Sequence, residues 1–274
     1  MVDPDDHHLF VSLGCAAENL LQAALAHALM GHASFDATGS NALRLSLAAA
    51  RAVNSTLFQA IPAQQSTRAE YDGKTLTKPE LALLEKAGAA SGVRIILLTG
   101  RQAMEKVLEF VVAGHTSQMQ DRAFVAELKS WIRYSADEAV GSGEGLYAAS
   151  SGNPSLPPWL GRRLFDLACT AKSENEKYAE HLRSSAGIAI FVADHIGPAQ
   201  WIEVGRSYQC FALQSAALEI CTAFLNQPLE VATLRPQLAA FLAIGAQRPD
   251  LVVRFGRGSK LPPSLRRPLQ SVLV

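Results

Sequence analysis

Two polar side chains in one loop, Ser66 and Arg68, have types and a spacing that suit phosphate binding. They lie in the segment 64–68, which reads Gln-Gln-Ser-Thr-Arg. In an extended loop, side chains two residues apart point the same way, so a hydroxyl and a guanidinium can hold one phosphate together. The alternative is an ordinary solvated turn, which these residue types also form.

The C-terminal tail concentrates positive charge in an otherwise neutral chain. Between positions 248 and 267, a single acidic residue, Asp250, stands against Arg248, Arg254, Arg257, Lys260, Arg266 and Arg267. Prolines on both sides of the last two arginines restrict the backbone, which lowers the cost of ordering them on a phosphate. The alternatives are a tail that improves solubility and a nonspecific contact with nucleic acid.

A third candidate is the amide pair Asn226 and Gln227, which Pro228 follows directly. Amide side chains and free backbone groups at the end of a helix can hydrogen-bond a heteroaromatic ring. The alternative is a simple helix stop, because a proline often follows the last residues of a helix.

Sequence signatures of many enzymes are absent from the 274 residues. There is no GxGxxG after a strand, no P-loop, no GxSxG and no HExxH. The seven histidines include no pair at helical ligand spacing beside a third ligand, so we expect ordinary surface or core histidines. If the chain is an enzyme, a bound cofactor is expected to supply its chemistry.

Composition excludes several classes of protein. The 25 basic and 25 acidic residues give a net charge of zero, which argues against a protein that coats nucleic acid. With 49% hydrophobic and 18% charged residues, the chain is too apolar to be intrinsically disordered. Its four cysteines form no CxxC pair and are too few for a disulfide scaffold.

The most apolar stretch near the N-terminus, 9–30, is predicted to be a buried helix rather than a membrane span. It contains polar side chains that lipid disfavours, namely Glu18, Asn19, Gln22 and His27. The acidic start MVDPDD lacks the basic region of a secretion signal. The sequence as written predicts a cytoplasmic protein, or an exported one if the true start lies upstream and carries a signal.

Hydrophobic periodicity predicts a layered fold in which short strands alternate with long helices. Helices are expected at 9–29 (ended by Gly31), 78–90, 101–113, 122–134, 201–224 and 233–244. Strands are expected at 42–47, 93–98, 187–192 and 251–255. The segment 141–160 is rich in glycine, proline and serine, which predicts either a lid or binding loop or a flexible surface excursion.

Several of these segments resemble the nitroreductase superfamily, and most closely its Acg-like branch. The specific part is C-terminal: Trp201, Gly205, Gln209, LNQP at 225–228, Arg235 and RPDLVVRFGRGSKLPPSLRRP at 248–268. Upstream, the resemblance extends over IPAQQSTRAEYDGK at 61–74, ELKSWIRYSADEA at 127–139 and DPDDHHLFVSLGCAAENLLQAA at 3–24.

The resemblance implies an α+β, nitroreductase-like fold with a short-stranded sheet flanked by long helices. Acg-like proteins resemble two nitroreductase halves fused into one chain. Residues 1–58 would then be a partial first copy and residues 59–274 a complete second copy of this pseudo-dimer, with 141–160 as a lid. The chain would be a monomeric pseudo-dimer or a homodimer, without a nucleic-acid or membrane partner.

The same resemblance implies that the chain binds FMN. The implied cofactor-binding residues are Gln64, Ser66, Arg68, Asn226, Gln227, Arg266 and Arg267. The loop and tail residues would hold the phosphate, and the two amide residues would approach the reactive edge of the flavin ring. Gln64 stands where the family pattern has an arginine. Its neutral amide could donate a hydrogen bond to the phosphate but would not bring a positive charge.

The implied activity is an FMN-dependent oxidoreductase of nitroreductase type. NAD(P)H would give a hydride to the flavin, and an electron-poor acceptor such as a nitroaromatic or a quinone would then be reduced. The resemblance implies no protein residue as acid or base and no metal ligand.

Two alternatives remain: a flavin-sequestering protein without catalysis, suggested by the lid, and a degenerate, truncated member without flavin. Gln64 and the missing His-Asn-Thr-Gln-Pro-Trp segment of the family's first half suggest the latter.

Overall fold

Eight strands and eleven α-helices make up the part of the chain that the computed structural model describes, residues 3–36, 39, 42–265, 267–271 and 273. The strands are β1 Leu29–Asp36, β2 Ala42–Ala49, β3 Val93–Leu98, β4 Ile132–Arg133, β5 Leu146–Tyr147, β6 Gly187–Ala193, β7 Cys221–Phe224 and β8 Pro249–Gly256. The helices are α1 His7–Ala26, α2 Thr56–Ala60, α3 Lys78–Ala87, α4 Arg101–Gln120, α5 Arg122–Trp131, α6 Ala136–Ser142, α7 Pro158–Ala168, α8 Ala171–Arg183, α9 Pro198–Ala217, α10 Gln227–Glu230 and α11 Arg235–Phe241.

The centre of the fold is a four-stranded antiparallel sheet in the order β3-β6-β8-β7. Every residue of β6 is buried, because helices cover both faces of the sheet. Successive side chains of a strand alternate between the faces, so a strand covered on both sides reads as a continuous apolar run. The predicted α+β class, with short strands flanked by long helices, is confirmed.

Aromatic side chains fill the layer between the sheet and helices α1, α3 and α9. The ring of Phe211 on α9 packs edge-on against Phe191 of β6, with centroids 5.5 Å apart, and also contacts Phe255 of β8. On the opposite face, Met104 and Val107 of α4 pack with aliphatic side chains of β6 and β8. Helices α8 and α11 complete that second layer.

Helices α1 and α9 cross with their backbones in close contact. A Cβ atom on Gly14 would collide with the carbonyl oxygen of Ile202, and a Cβ on Gly205 would collide with that of Val11. Only glycine at both positions permits this approach. Glu18 of α1 also pairs with Arg206 of α9, with Oε2 and Nε 3.2 Å apart. One face of α1 is therefore a packing surface, although the helix is long and apolar enough to cross a membrane by length and composition alone.

The two crossing helices also resemble each other at their C-terminal ends. Each has 20 residues, and each leads through a residue with left-handed backbone, Ala28 (φ 62°) or Glu219 (φ 57°), into a strand. The glycine at the crossing and the left-handed residue are separated by the same number of positions in both segments.

Several predicted helix ends are wrong. The helix expected at 101–113 continues to Gln120, and the helix expected at 122–134 stops at Trp131. Two further ends are wrong at a change from a long helix to a strand. The helix expected at 201–224 stops at Ala217, and Cys221–Phe224 forms β7 in the sheet. The helix expected to end at Gly31 stops at Ala26, and Gly31 lies in β1 against the Leu21 side chain. In both cases the apolar run continues from helix into strand, and periodicity alone does not separate the two.

The segment 141–160 is also more regular than predicted. It contains the end of α6, the short strand β5, a 3₁₀ turn at Ala148–Ser151 and the start of α7. Its left-handed residues are glycines at 143, 145 and 152, so the glycine content serves turns between short elements rather than a long irregular loop.

Candidate functional site

A cavity of about 700 Å³ lies beside the carboxyl end of β7, under helices α4 and α8. Its volume is in the range of small-molecule sites. Helices α5 and α7 close the far side with apolar side chains, among them Phe124, Leu128, Leu164 and Phe165. The segment 141–160 adds Leu146, Ser151 and Pro154 to the wall. The cavity thus has an apolar side that suits a ring and a polar side formed by the sheet.

Arg254 on β8 forms the deepest basic group of this wall and is only 1% exposed. Its guanidinium donates hydrogen bonds to the backbone carbonyls of Thr67 (3.2 Å), Ala69 (2.8 Å) and His181 (3.1 Å). It also lies over the ring of Tyr71, 4.1 Å from the centroid. No carboxylate among the described residues pairs with it, and burial lowers its pKa from the usual range. A buried cation held only by dipoles favours an anionic ligand nearby.

Arg68 lines the same cavity and, within the described part of the chain, has no hydrogen-bond or ion-pair partner. The backbone of this loop is fixed from two sides. Thr67 donates its backbone N–H to the carbonyl of Thr222 on β7 at 2.8 Å. Gly152 (φ 76°) approaches so closely that a Cβ there would lie 2.8 Å from the carbonyl oxygen of Arg68. A fixed backbone with an unpaired guanidinium is well suited to bind an anion.

Gln227 begins α10 and contributes an unsatisfied polar atom to the cavity wall. The residue is 9% exposed, and its Oε1 accepts no hydrogen bond from the residues that the structure describes. Gly114 of α4 allows the close approach, since a Cβ there would lie 2.8 Å from the Gln227 carbonyl carbon. Burial raises the pKa of Tyr178, which lies beside the Gln227 amide, to about 12. A buried acceptor without a partner costs free energy unless a ligand donates to it.

Asn226 lines the cavity but also has a structural role. Its Oδ1 accepts a hydrogen bond from the backbone N–H of Val252 at 3.0 Å, which ties the end of β7 to β8. The sequence predicts that the amide pair lies at the end of a long helix, and this prediction is wrong. The pair comes directly after β7, because α9 ends earlier and the chain enters the sheet before α10 begins.

Two titratable residues of the wall were not predicted from the sequence. His115 Nδ1 donates to Asn175 Oδ1 (2.9 Å), whose orientation is fixed because Asn175 Nδ2 donates to Thr116 Oγ1 (2.9 Å). Burial lowers the pKa of His115, which leaves Nε2 free as an acceptor. Glu230 accepts a hydrogen bond from Gln118 Nε2, and burial raises its pKa. In the sequence, only the spacing of His115 and Gln118, three residues apart on one face of α4, indicated that these two polar side chains could lie together.

The other predicted residues lie elsewhere. Gln64 lines a second pocket of about 330 Å³ beside Thr222 and Lys260. Ser66 forms a parallel bridge with Thr222 at the edge of β7. Arg267 is exposed and pairs with Glu144 of the segment 141–160, with Nη2 and Oε2 2.5 Å apart. Arg266 lies outside the described residues.

The tail nevertheless runs beside the loop that carries Ser66 and Arg68. Gln65 Nε2 donates to the carbonyl of Leu261 at 3.0 Å, and Ser150 Oγ donates to that of Pro263 at 3.3 Å. The structure therefore brings Arg68, Asn226 and Gln227 to one cavity and the tail backbone to its rim. The phosphate clamp inferred from the sequence stays a prediction.

Comparisons with known proteins support the fold. No family model matches this chain, and no curated protein matches its sequence. An FMN-dependent nitroreductase, NfnB of Mycobacterium smegmatis, solved in complex with NADPH, is similar in structure with a TM-score of 0.53 and 14% identity, over 80% of this chain and 97% of that one. A nitroreductase with bound FMN from Desulfitobacterium hafniense DCB-2 is similar with a TM-score of 0.50 and 13% identity, over 81% and 98%. At these identities the likeness establishes a nitroreductase-like fold and leaves the chemistry to be argued from the site.

Proposed function

We propose that this chain is an FMN-dependent oxidoreductase of nitroreductase type, close to the Acg-like branch. In this proposal it takes a hydride from NAD(P)H and reduces an electron-poor small molecule such as a nitroaromatic or a quinone. The observation that carries the proposal is a cavity of about 700 Å³ whose wall includes Gln227, Arg68 and Arg254. Among the described residues, Gln227 Oε1 has no hydrogen-bond partner and neither arginine pairs with a carboxylate. A nitroreductase-like fold, seen in proteins solved with FMN, supports it.

The donor set of the cavity fits FMN. A flavin offers a ring N–H that can satisfy a buried carbonyl oxygen such as Gln227 Oε1, and electron-rich ring carbonyl oxygens that can accept hydrogen bonds from Arg68 and Arg254. The apolar side chains of α5 and α7 suit the ring faces. The basic tail beside the loop 64–68 is the proposed place for the phosphate, with Gln64 and Ser66 as neutral donors.

When bound, FMN would supply two-electron chemistry, and the chain would bind, orient and shield the reactants. Arg68 would compensate negative charge on the ligand, and Gln227 would fix the orientation of the ligand. The wall formed by α5 and α7 would keep water out, which strengthens each of these polar contacts. No residue needs to act as the hydride donor.

We also propose that residues 1–58 and 59–274 are unequal copies of one unit. The equal lengths of α1 and α9, the reciprocal glycine contact and the left-handed residue after each helix support this. A duplicated unit that pairs with itself through its long helix would produce this reciprocity.

The test is FMN titration, monitored by the change in flavin fluorescence. Arg68→Ala should weaken FMN binding by about tenfold or more, because it removes a charge-assisted contact of about 1.5–3 kcal/mol. Arg44→Ala, on the exposed β1–β2 ribbon, is the matched control and should bind like the unmodified protein. Equal affinity of Arg68→Ala and the unmodified chain would place FMN elsewhere and contradict the proposed site.

A second candidate, flavin sequestration without turnover, is favoured by α5, α7 and the segment between them, which line the side of the cavity opposite the sheet. Steady-state oxidation of NADH and NADPH with a nitroaromatic or a quinone acceptor separates the two. Turnover supports the oxidoreductase, and tight FMN binding without turnover supports sequestration. Failure to bind FMN supports a degenerate member of the family, in which Gln64 replaces the arginine of the family pattern and the cofactor is no longer bound.

A further inference from the structure

Three metal-ligating side chains meet at the first turn of α1. The ligand atoms of Asp3, His7 and His8 all lie within 4.8 Å of one another. His7 is 1% exposed, whereas Asp3 and His8 are partly exposed. Two imidazoles and a carboxylate form a ligand set used by divalent transition metals, and such a set leaves room for water.

The hydrogen bond of His7 leaves one ring nitrogen ready to bind a cation. His7 Nε2 lies 3.1 Å from Asp250 Oδ1 on β8. Asp250 is itself fixed, because its Oδ2 accepts the backbone N–H of Ala193 at 2.8 Å. In the neutral imidazole whose Nε2 donates to this carboxylate, the lone pair is on Nδ1. Protein-bound metals commonly use a histidine whose other nitrogen donates to a carboxylate in this way.

His7 Nδ1 is buried and has no hydrogen-bond partner among the described residues. A buried ring nitrogen without a partner is costly and calls for a water or an ion. The His8 ring lies close to this ring, with the two centroids 4.7 Å apart. This orphan atom is independent of the clustering itself and points to a ligand.

Asp3 is held in place for such a role. Its Oδ1 accepts the backbone N–H of His8 at 3.0 Å, and its Oδ2 accepts that of Leu9 at 3.1 Å. Each carboxylate oxygen has a further lone pair, so these bonds fix the group without using all of its capacity. Glu230 Oε1 lies 3.7 Å from His8 Nε2, so a second carboxylate stands at the edge of the cluster as its fourth polar group.

Arg248 is a cation near this cluster, because it lies by Asp250, the partner of His7, and acidic groups offset it. Its Nη1 lies 2.6 Å from Asp5 Oδ2, and its Nε lies 3.9 Å from Asp250 Oδ1. With Arg248 paired in this way, Asp3 and Glu230 remain to compensate an added cation. The charge around the cluster therefore does not oppose metal binding.

We propose that Asp3, His7 and His8 bind a divalent transition-metal cation of the zinc type, with Asp250 orienting His7. The cation joins the N-terminal segment to β8 through the His7–Asp250 contact. The histidine spacing gave no signal for this site, because adjacent residues on a helix do not share the i, i+4 face of common motifs and because Asp250 is distant in sequence. The site requires no flavin and is independent of the proposed oxidoreductase function.

The test is calorimetric titration of Zn²⁺ into the full, untagged chain after treatment with a chelator. The expected result is one site per chain. His8→Gln and Asp3→Asn should each weaken Zn²⁺ binding by about tenfold or more, as loss of even an orienting partner costs about 10–100-fold. The matched control is His195→Gln, an exposed histidine outside the cluster, which should leave the affinity unchanged.

Two further measurements make the result decisive. Asp3→Asn keeps an oxygen for the backbone contacts at the start of α1, so its metal-free melting temperature reports whether the fold is intact. With Co²⁺ in place of Zn²⁺, nitrogen and oxygen ligation gives no thiolate charge-transfer band, whereas binding at a free cysteine does. No Zn²⁺ binding, a thiolate band, or an affinity unchanged in both His8→Gln and Asp3→Asn would overturn the proposal.

Discussion

Two regions of the molecule share a local plan and differ in what surrounds them. In each, a 20-residue helix leads through a left-handed residue into a strand of an antiparallel pair. The pair β7–β8 belongs to the central sheet, where Phe255 is 0% exposed. The pair β1–β2 forms a separate two-stranded sheet, where Leu47 is 53% exposed. A similar local unit thus becomes core or surface according to its neighbours.

The connection between the two strands of each pair explains where the site lies. Between β1 and β2 there are only five residues, at positions 37–41. Between β7 and β8 the chain inserts α10 and α11, and Gln227 and Glu230 of α10 line the cavity. The candidate site thus lies beside β7–β8 because two helices connect these strands, whereas five residues separate β1 from β2.

The largest expected difference between the regions is the cost of removing a large side chain. Phe255→Ala should lower the free energy of unfolding by about 3–5 kcal/mol, because it leaves a cavity in the core. Leu47→Ala, its counterpart on the exposed pair, should change it by no more than about 0.5 kcal/mol. Urea denaturation measures both. Comparable losses would mean that the β1–β2 pair is as buried as β7–β8.

The helix crossing that joins the two regions is tested next. Gly14→Ala and Gly205→Ala should each destabilise the protein by about 1–3 kcal/mol, because the added methyl forces the backbones apart. Gly141→Ala is the matched control, since it lies in helix α6 with open space around its Cβ position. That control should be neutral or stabilise by up to about 1 kcal/mol. Thermal melts of the three variants suffice, and a harmless Gly14→Ala would refute the close crossing.

His181, which lines the candidate site, should contribute to the acid sensitivity of the protein. Burial, and next the charge of Arg254, lower the pKa of His181 to about 4. Because the folded state binds this proton less readily than the unfolded chain, stability present above pH 6.5 is lost as pH falls toward 4. Between pH 6.5 and pH 4, the His181→Gln variant should therefore lose about 1 kcal/mol less of its free energy of unfolding than the unmodified protein. His32→Gln, on exposed β1, serves as the control, and identical pH profiles for all three proteins would contradict the assignment.

The smallest effect concerns the left-handed residue after each long helix. Ala28→Gly and Glu219→Gly should each stabilise the protein by about 0.5–1 kcal/mol, because glycine adopts positive φ without strain. Ala26→Gly, two positions earlier and inside α1, should instead destabilise by a similar amount. Chemical denaturation resolves the sign. A gain at one left-handed position only would show that the two units differ locally as well as in their surroundings.

The parts of the fold that the sequence predicts are those with strong local signals. Strand β3 matches its prediction at both ends, and β6 and β8 are found within two residues, because short apolar runs are bounded by polar or glycine residues. Strand β7 and helix α10 were missed. The apolar run of α9 continues into β7, and only the pairing of β7 with β8, 25 or more positions away, decides its structure.

The candidate site shows the same limit. Arg68, Asn226 and Gln227 were proposed from their types and lie in one cavity. Arg254 was counted with the basic tail, although it is the most deeply buried cation of the wall. Its burial depends on Tyr71, His181 and the loop near Thr67, which are distant in sequence. Non-local contacts of this kind leave no periodic signal.

The measurement that tests the proposed function most directly is the visible absorption spectrum of the purified, untagged chain after incubation with FMN and removal of excess flavin. Mass spectrometry of the released chromophore identifies and counts it. We predict a yellow protein that retains FMN at close to one molecule per chain, because the cavity offers an unpaired Arg68 and an unsatisfied Gln227 Oε1. A colourless protein that retains no FMN would contradict the proposed function, while leaving the fold and the Asp3–His7–His8 site open to their own tests.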